Sequence, residues 1–168
     1  METTTPLNFP PNNCTLTHYP AAPPDPLFTS LFTLLKRNMY TLYKNSTMGW
    51  SKKDKIDEMR LPGLQYLVLE DSSDDHKVNG PNLAAFASFM VDLEDDIPVV
   101  YLYEIQVSPL HRNRGIGERL MREVERRAAE LRLAAEKECG REKERVEKVM
   151  LTVFSANKGA RRFYERLG

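Results

Sequence analysis

Apolar residues recur every three or four positions from Leu27 through Leu31, Leu34, Leu35 and Leu42, a spacing that predicts a helix over 26–44. Asp25 and Pro26 mark its start: a capping residue, then a proline whose fixed φ suits the first helical position. Gly49 and Trp50 interrupt the pattern. Ser51, with Asp54 three residues on, resembles a capping box and opens a short polar helix through Met59, whose lysines and carboxylates read as a solvated face. From Leu64 the period falls to two, and 65–69 and 83–91 read as antiparallel strands around a polar loop. The run 99–107, rich in β-branched and aromatic residues, is the strongest strand. Past Gly117 the helical period returns, with Ile116, Leu120, Val124, Ala128 and Leu131 on one stripe and Arg and Glu opposite. Residues 132–148 are almost wholly charged and read as a solvated helical extension broken near Gly140, with a basic binding patch as the alternative. A further strand is expected over 149–154, and then a helix capped by Asn157 with Ala160, Phe163, Tyr164 and Leu167 on one face. The order αα-βββ-α-β-α describes one α/β (α+β) domain over 26–168.

Composition changes the picture at the amino end. Seven of the 11 prolines fall within residues 1–26, so 1–25 reads as a proline-rich arm unable to bury its own surface. Twenty-four basic and 24 acidic side chains cancel, which excludes a global field drawing the chain to nucleic acid or an anionic membrane. Cys14 and Cys139 are too few for a disulfide framework or a metal cluster, so no metal is expected. No apolar run approaches a membrane span, and the first 26 residues hold no Lys or Arg, unlike a leader peptide. Cytoplasm and nucleus are the expected locations.

Candidate chemistry begins at Arg112-Asn113-Arg114-Gly115-Ile116-Gly117, between the strongest strand and an amphipathic helix. Two glycines let the backbone turn with its N–H groups exposed, and a helix start adds unpaired donors and a positive dipole end, so a pyrophosphate can dock on main chain. Arg112 and Arg114 add charge, while His111 reads as a surface residue. The third glycine of a dinucleotide fingerprint is missing, as is the Gly-Lys-Ser/Thr of a P-loop.

That string, followed by a strand and by Asn157-x-x-Ala160-x-x-x-Tyr164, resembles the acetyl-CoA-binding core of the GNAT superfamily of N-acetyltransferases. The resemblance implies a central mixed, splayed sheet flanked by helices. It also implies acetyl-CoA as acetyl donor, with its pantetheine arm along the strand that ends at Gln106 and Val107 and its pyrophosphate on the backbone through Gly117. A narrower likeness covers roughly 27–167: Asn38-Met39, Tyr43-Lys44-Asn45-Ser46 leading to Gly49-Trp50, 101–106, and Lys148-Val149-Met150-Leu151-Thr152-Val153-Phe154 resemble the NatD family of N-terminal acetyltransferases dedicated to histones. For that family the substrate is the Ser-Gly-Arg-Gly amino end of histone 4 and histone 2A. The likeness makes Glu104 the general base, sets Tyr103 and Tyr101 beside the acceptor, puts Tyr43 and Trp50 at the peptide entrance, and has Asp92 and Glu94 receive the substrate's arginine.

Physical chemistry constrains these implied roles. In an extended strand Asp92 and Glu94 share a face, as a grip on one guanidinium requires, and residues 70–96 hold eight carboxylates against one lysine. Tyr101 and Tyr103 also share a face, but Glu104 points the other way unless a bulge re-aims it. The alternative is that Glu104 is an ordinary buried ion-pair partner, just as Tyr43 and Trp50 could be core aromatics. An α-amine of pKa near 7.8 is roughly 15% neutral at pH 7, against well under 0.1% for a lysine, so one carboxylate suffices and direct transfer needs no acyl-enzyme. Tyr164 is the positional candidate for protonating the leaving thiolate, with simple packing as the alternative. The GNAT fold adds a strand or hairpin after its last helix, and Gly168 falls before it, leaving the C-terminal strand(s) apparently missing and an edge open to pairing; a monomer is expected unless that edge pairs. Histone tails, and the ribosome as a further candidate, are the expected partners. Competing readings are a GNAT enzyme with another amine acceptor, and an inactive module that binds acetyl-CoA or histone tails.

Overall fold

The structure, a computed structural model, describes residues 3–5, 14–72, 82–95, 97–139 and 148–167, with the backbone alone over 3–5 and 132–139. Its described elements run β1 (Thr3–Thr5), β2 (Cys14–Tyr19), α1 (Asp25–Lys44), α2 (Lys52–Met59), β3 (Gln65–Asp71), β4 (Leu83–Glu94), β5 (Ile97–Val107), α3 (Ile116–Cys139), β6 (Val149–Leu151) and α4 (Lys158–Leu167), with a 3-10 turn at Pro109–His111. The strands form one six-stranded mixed sheet in chain order, antiparallel throughout except for the parallel pair β5–β6. This is the mixed α/β sheet flanked by helices that the family resemblance implied.

Alternation along the strands divides the core in two. Leu67, Leu69, Ala85, Ala87, Phe89, Val100 and Leu102 face Ile116, Leu120 and Val124 of α3. Tyr66, Val68 and Phe86 face Leu27, Phe28, Leu31, Leu34 and Leu35 of α1 and Met59 of α2. Burying each large apolar side chain contributes about 1.5–3 kcal/mol before its ordering entropy is counted. Ser51 caps α2 by accepting from the Asp54 N–H, as expected, while α1 is preceded by Pro24 and already includes Asp25.

Three expectations are corrected. The stretch 14–19 is no loose arm: it pairs antiparallel with β3 from Cys14↔Asp71 to Tyr19↔Tyr66, and Cys14 and Leu16 are buried. Threonines and a short alternation supply the strand between its flanking prolines; residues 6–13 lie outside the described ones. The expected strand 149–154 contracts to Val149–Leu151, because its pairing on β5 stops at Leu102↔Leu151. β4 and β5 reach further toward each other than expected, through Glu94 and from Ile97, around Asp95 at φ 50. The expected break at Gly140 and the charged run after it also fall outside the described residues.

Candidate active site

β6 accompanies β5 only from Val100 to Leu102, so among the described residues β5 runs from Tyr103 to Val107 with a neighbour on its β4 side alone. That divergence opens the sheet between β5 and β6. Ser88 of β4 pairs with Glu104, and the next residue, Phe89, pairs with Leu102, so Tyr103 is the extra residue of a bulge. The bulge inverts the alternation. Val100 and Leu102 pack toward α3, and so do Ile105 and Val107 beyond it. Tyr103 packs toward α1 and α2, and Glu104 also reaches that side, where Lys55 of α2 contacts it. Tyr103 and Glu104 thus share a face, as the expected base and its tyrosine require.

Glu104 is 7% exposed. Its Oε2 accepts from Gln106 Nε2 at 2.7 Å and its Oε1 faces Lys55 Nζ at 3.4 Å. Burial pushes this carboxyl up from the ordinary range, against the pull of Lys55 and Gln106. Lys55, at 5% exposure, also donates to Tyr43 Oη at 2.6 Å and Glu58 Oε1 at 2.8 Å. The face of α2 expected to be solvated therefore holds a buried ammonium. Lys55 and Met59 stand four apart and both point inward, a place where the helix pattern calls for an apolar residue.

The chain of contacts continues to α1. Asn38 Nδ2 donates to Gln106 Oε1 at 3.0 Å and to the Val107 carbonyl at 3.2 Å, while Arg112 Nη2 donates to Asn38 Oδ1 at 2.7 Å. Arg112 is thereby engaged with α1 and the end of β5. Asn113 and Gly115 adopt φ 61 and 74, and α3 begins at the next residue, Ile116. Successive amides in such a turn, with the unpaired first amides of the helix, form a concave anion site, and Arg114 is exposed beside it. Gly117 has a different reason to be glycine: a Cβ there would lie 3.2 Å from the Phe163 ring of α4. His111 is 7% exposed and bonds Asp71 through Nε2 at 3.0 Å, so it is a buried residue and not a surface one.

Asn157 caps α4, its Oδ1 accepting from the Ala160 N–H at 3.1 Å. Tyr164 packs on the α3-side core, and burial, then the Glu104 charge, push its phenol up, so it stays protonated at neutral pH. Tyr43 lies 4.8 Å from the Phe154 ring and 5.7 Å from Trp50, bringing the end of α1 against the chain that follows β6. Tyr101 sits 5.2 Å from Tyr103 and donates to Thr152 Oγ1 at 3.1 Å. Burial pushes the Tyr103 phenol up, and the charges of Asp92 and Glu58 act in the same direction. Asp92 is exposed, whereas Glu94 stands 3.8 Å from Lys148 Nζ. Lys55, Glu58 and Asn38 escaped the assignment from sequence; the lysine at a core position of α2 was the one visible signal. A cavity of about 320 Å³ lined by Thr29, Thr33, Arg37, Asp71, Ser108 and His111 holds none of the expected catalytic side chains.

Residues 31–168 match the Acetyltransferase (GNAT) family. Over 130 residues, 70% of this chain and 40% of the relative, the sequence is 37% identical to N-alpha-acetyltransferase 40 of Saccharomyces cerevisiae. The chain thus spans well under half the length of that curated relative. Among solved structures, an aminoglycoside acetyltransferase from an uncultured soil metagenomic sample superposes with a TM-score of 0.59 at 16% identity, covering 92% of this chain and 87% of that one. The ribosomal-protein-alanine N-acetyltransferase of Brucella melitensis superposes at 0.52 with 15% identity, covering 92% and 91%. These two likenesses speak for the fold alone.

Proposed function

The chain belongs to the acetyltransferase (GNAT) family, and we propose that it acetylates the α-amine of a protein amino terminus, with the Ser-Gly-Arg-Gly start of histone 4 and histone 2A as substrate and acetyl-CoA as donor. The observation that carries the reading is the bulge at Tyr103, which turns Glu104 toward the face where Tyr43, Tyr103 and the acidic hairpin meet. Identity to an N-alpha-acetyltransferase favours an α-amine over other acceptors.

The donor set fits acetyl-CoA. Backbone amides from Asn113 to Gly117 suit a pyrophosphate, with Arg112 and Arg114 beside them, and the opening between β5 and β6 suits an extended arm along Gln106 and Val107, with Asn157 and Tyr164 on the α4 side. When bound, acetyl-CoA supplies the acyl thioester. The chain supplies everything else. Asp92 and Glu94 attract a cationic residue close behind the amino end, and the tyrosines confine that end beside Glu104. Glu104 takes the ammonium proton, and its raised carboxyl makes it a better acceptor than an exposed glutamate. Tyr164, held protonated, provides an O–H for the departing sulfur.

Parallel turnover of Ser-Gly-Arg-Gly peptides and of peptides with an unrelated first four residues tests the selectivity. The reading requires a higher kcat/KM for the former; equal rates would assign the enzyme another acceptor.

A further inference from the structure

We infer that Lys55 is a positioning residue of this site: its buried ammonium aims the Glu104 carboxylate and holds it ready to take a proton. The inference rests on the acceptor role proposed for Glu104. It starts from an oddity of sequence. α2 carries Lys52, Lys53 and Lys55, and the first two are exposed while the third is 5% exposed, one turn before the fully buried Met59. Desolvating an ammonium is costly, and an apolar side chain would pack that position without the cost.

What the lysine gains there is a complete set of acceptors. An ammonium has three N–H donors, and three oxygens surround it: Tyr43 Oη of α1 at 2.6 Å, Glu58 Oε1 of α2 at 2.8 Å and Glu104 Oε1 of β5 at 3.4 Å. Burial alone would push the ammonium toward neutrality, but Glu104, Glu58 and Tyr43 more than offset it and Lys55 stays charged. The second oxygen of Glu104 is held by Gln106, itself held by Asn38, so neither carboxylate oxygen is left to rotate.

The charges around Glu104 assign opposite effects to two residues of one helix. Burial and Glu58 both favour its protonated form, whereas Lys55 favours the carboxylate. Among the described residues, the Glu104 charge also acts on three phenols, Tyr43 on α1, Tyr66 on β3 and Tyr164 on α4, and pushes each up. Among the described residues, Lys55 is therefore the one cation that opposes burial at Glu104. A lysine that only filled space would leave the titration of Glu104 where it is.

The test uses the full chain as parent, Lys55→Met, Lys55→Arg, Glu58→Gln and Glu104→Gln. Two readouts are taken: kcat against pH at saturating acetyl-CoA and peptide, and the carbon-13 NMR titration of the Glu104 carboxyl, identified by its loss in Glu104→Gln. The second needs no turnover. Lys55→Met should move the Glu104 midpoint and the acidic limb of kcat to higher pH, with KM little changed and the deficit shrinking as pH rises. Glu58→Gln should move the midpoint to lower pH, and Lys55→Arg should stay near the parent. An unmoved midpoint in folded Lys55→Met overturns the inference. Should that variant fail to fold, Lys55→Gln, which keeps a donor without the charge, takes its place, and an unmoved midpoint there overturns the inference equally. Parental turnover in Glu104→Gln would instead overturn the acceptor role and the inference with it, so the two failures are told apart.

Discussion

Tyr103 and Glu104 are consecutive in a strand, yet both side chains lie on the α1–α2 face of the sheet, because one residue of β4 spans the pair of positions where β5 is bulged. A regular strand would send Glu104 into the apolar layer against α3, with Leu102. The distortion converts a strand that would only pack into one that offers an acid and a tyrosine to the same space.

Replacing that acid isolates its chemistry. Glu104→Gln keeps the shape and one acceptor oxygen but cannot take a proton, so kcat should fall by on the order of 10² to 10⁴. Acetyl-CoA affinity, measured by calorimetry, should hold; an unchanged kcat would remove Glu104 from the mechanism.

The same substitution has an opposite effect on stability. Glu104 titrates above the ordinary carboxylate range in the folded chain, so its contribution to stability is fully present below the unfolded value and is lost as pH rises through the raised one. Glutamine mimics the protonated form at every pH. Melting temperatures taken from pH 4 to 8 should therefore show the parent falling relative to Glu104→Gln as pH increases, and a gap that does not change with pH would contradict the raised titration.

Asp92→Asn with Glu94→Gln should raise KM for an arginine-bearing peptide while leaving KM for acetyl-CoA in place. A charge-assisted contact contributes about 1.5–3 kcal/mol, or roughly ten-fold to a hundred-fold in affinity. Steady-state kinetics with each substrate varied in turn would show it, and equal losses for both substrates would contradict the grip.

Gly117→Ala tests how α4 is seated. Its Cβ would meet the Phe163 ring at 3.2 Å and 3.3 Å, so the ring or the helix must give way. Overpacking of this kind costs about 1–3 kcal/mol. Denaturant unfolding should register that loss together with weaker acetyl-CoA binding, because Tyr164 rides on the same helix; full stability would mean that α4 yields freely.

Much of this architecture was legible as periodicity. The stripes Leu27–Leu35 and Ile116–Ala128 became the two faces that sandwich the sheet, and Gly115 sits at the left-handed turn its position suggested. What escaped has a common cause: long-range geometry with little local mark. A bulge adds a residue that looks like any other, so only the conflict between Tyr103 and Glu104 hinted at it. Lys55 reads as one more charge on a polar helix until Glu104, forty-nine residues away, is set against it. β2 lay hidden because prolines dominate its surroundings, and His111 because Asp71 comes from a distant strand. Candidate roles for Glu104 and its neighbours came from family resemblance; periodicity alone would have placed them in a strand and stopped.

The central claim is that Glu104 serves an α-amine held in this cleft, and the position of the acetyl group tests it most directly. A Ser-Gly-Arg-Gly peptide that also contains lysine, incubated with the full chain and acetyl-CoA and then sequenced by tandem mass spectrometry, should carry the acetyl group on its first residue and lose that product in Glu104→Gln. Acetylation on the lysine side chain, or on neither amine, would contradict the account.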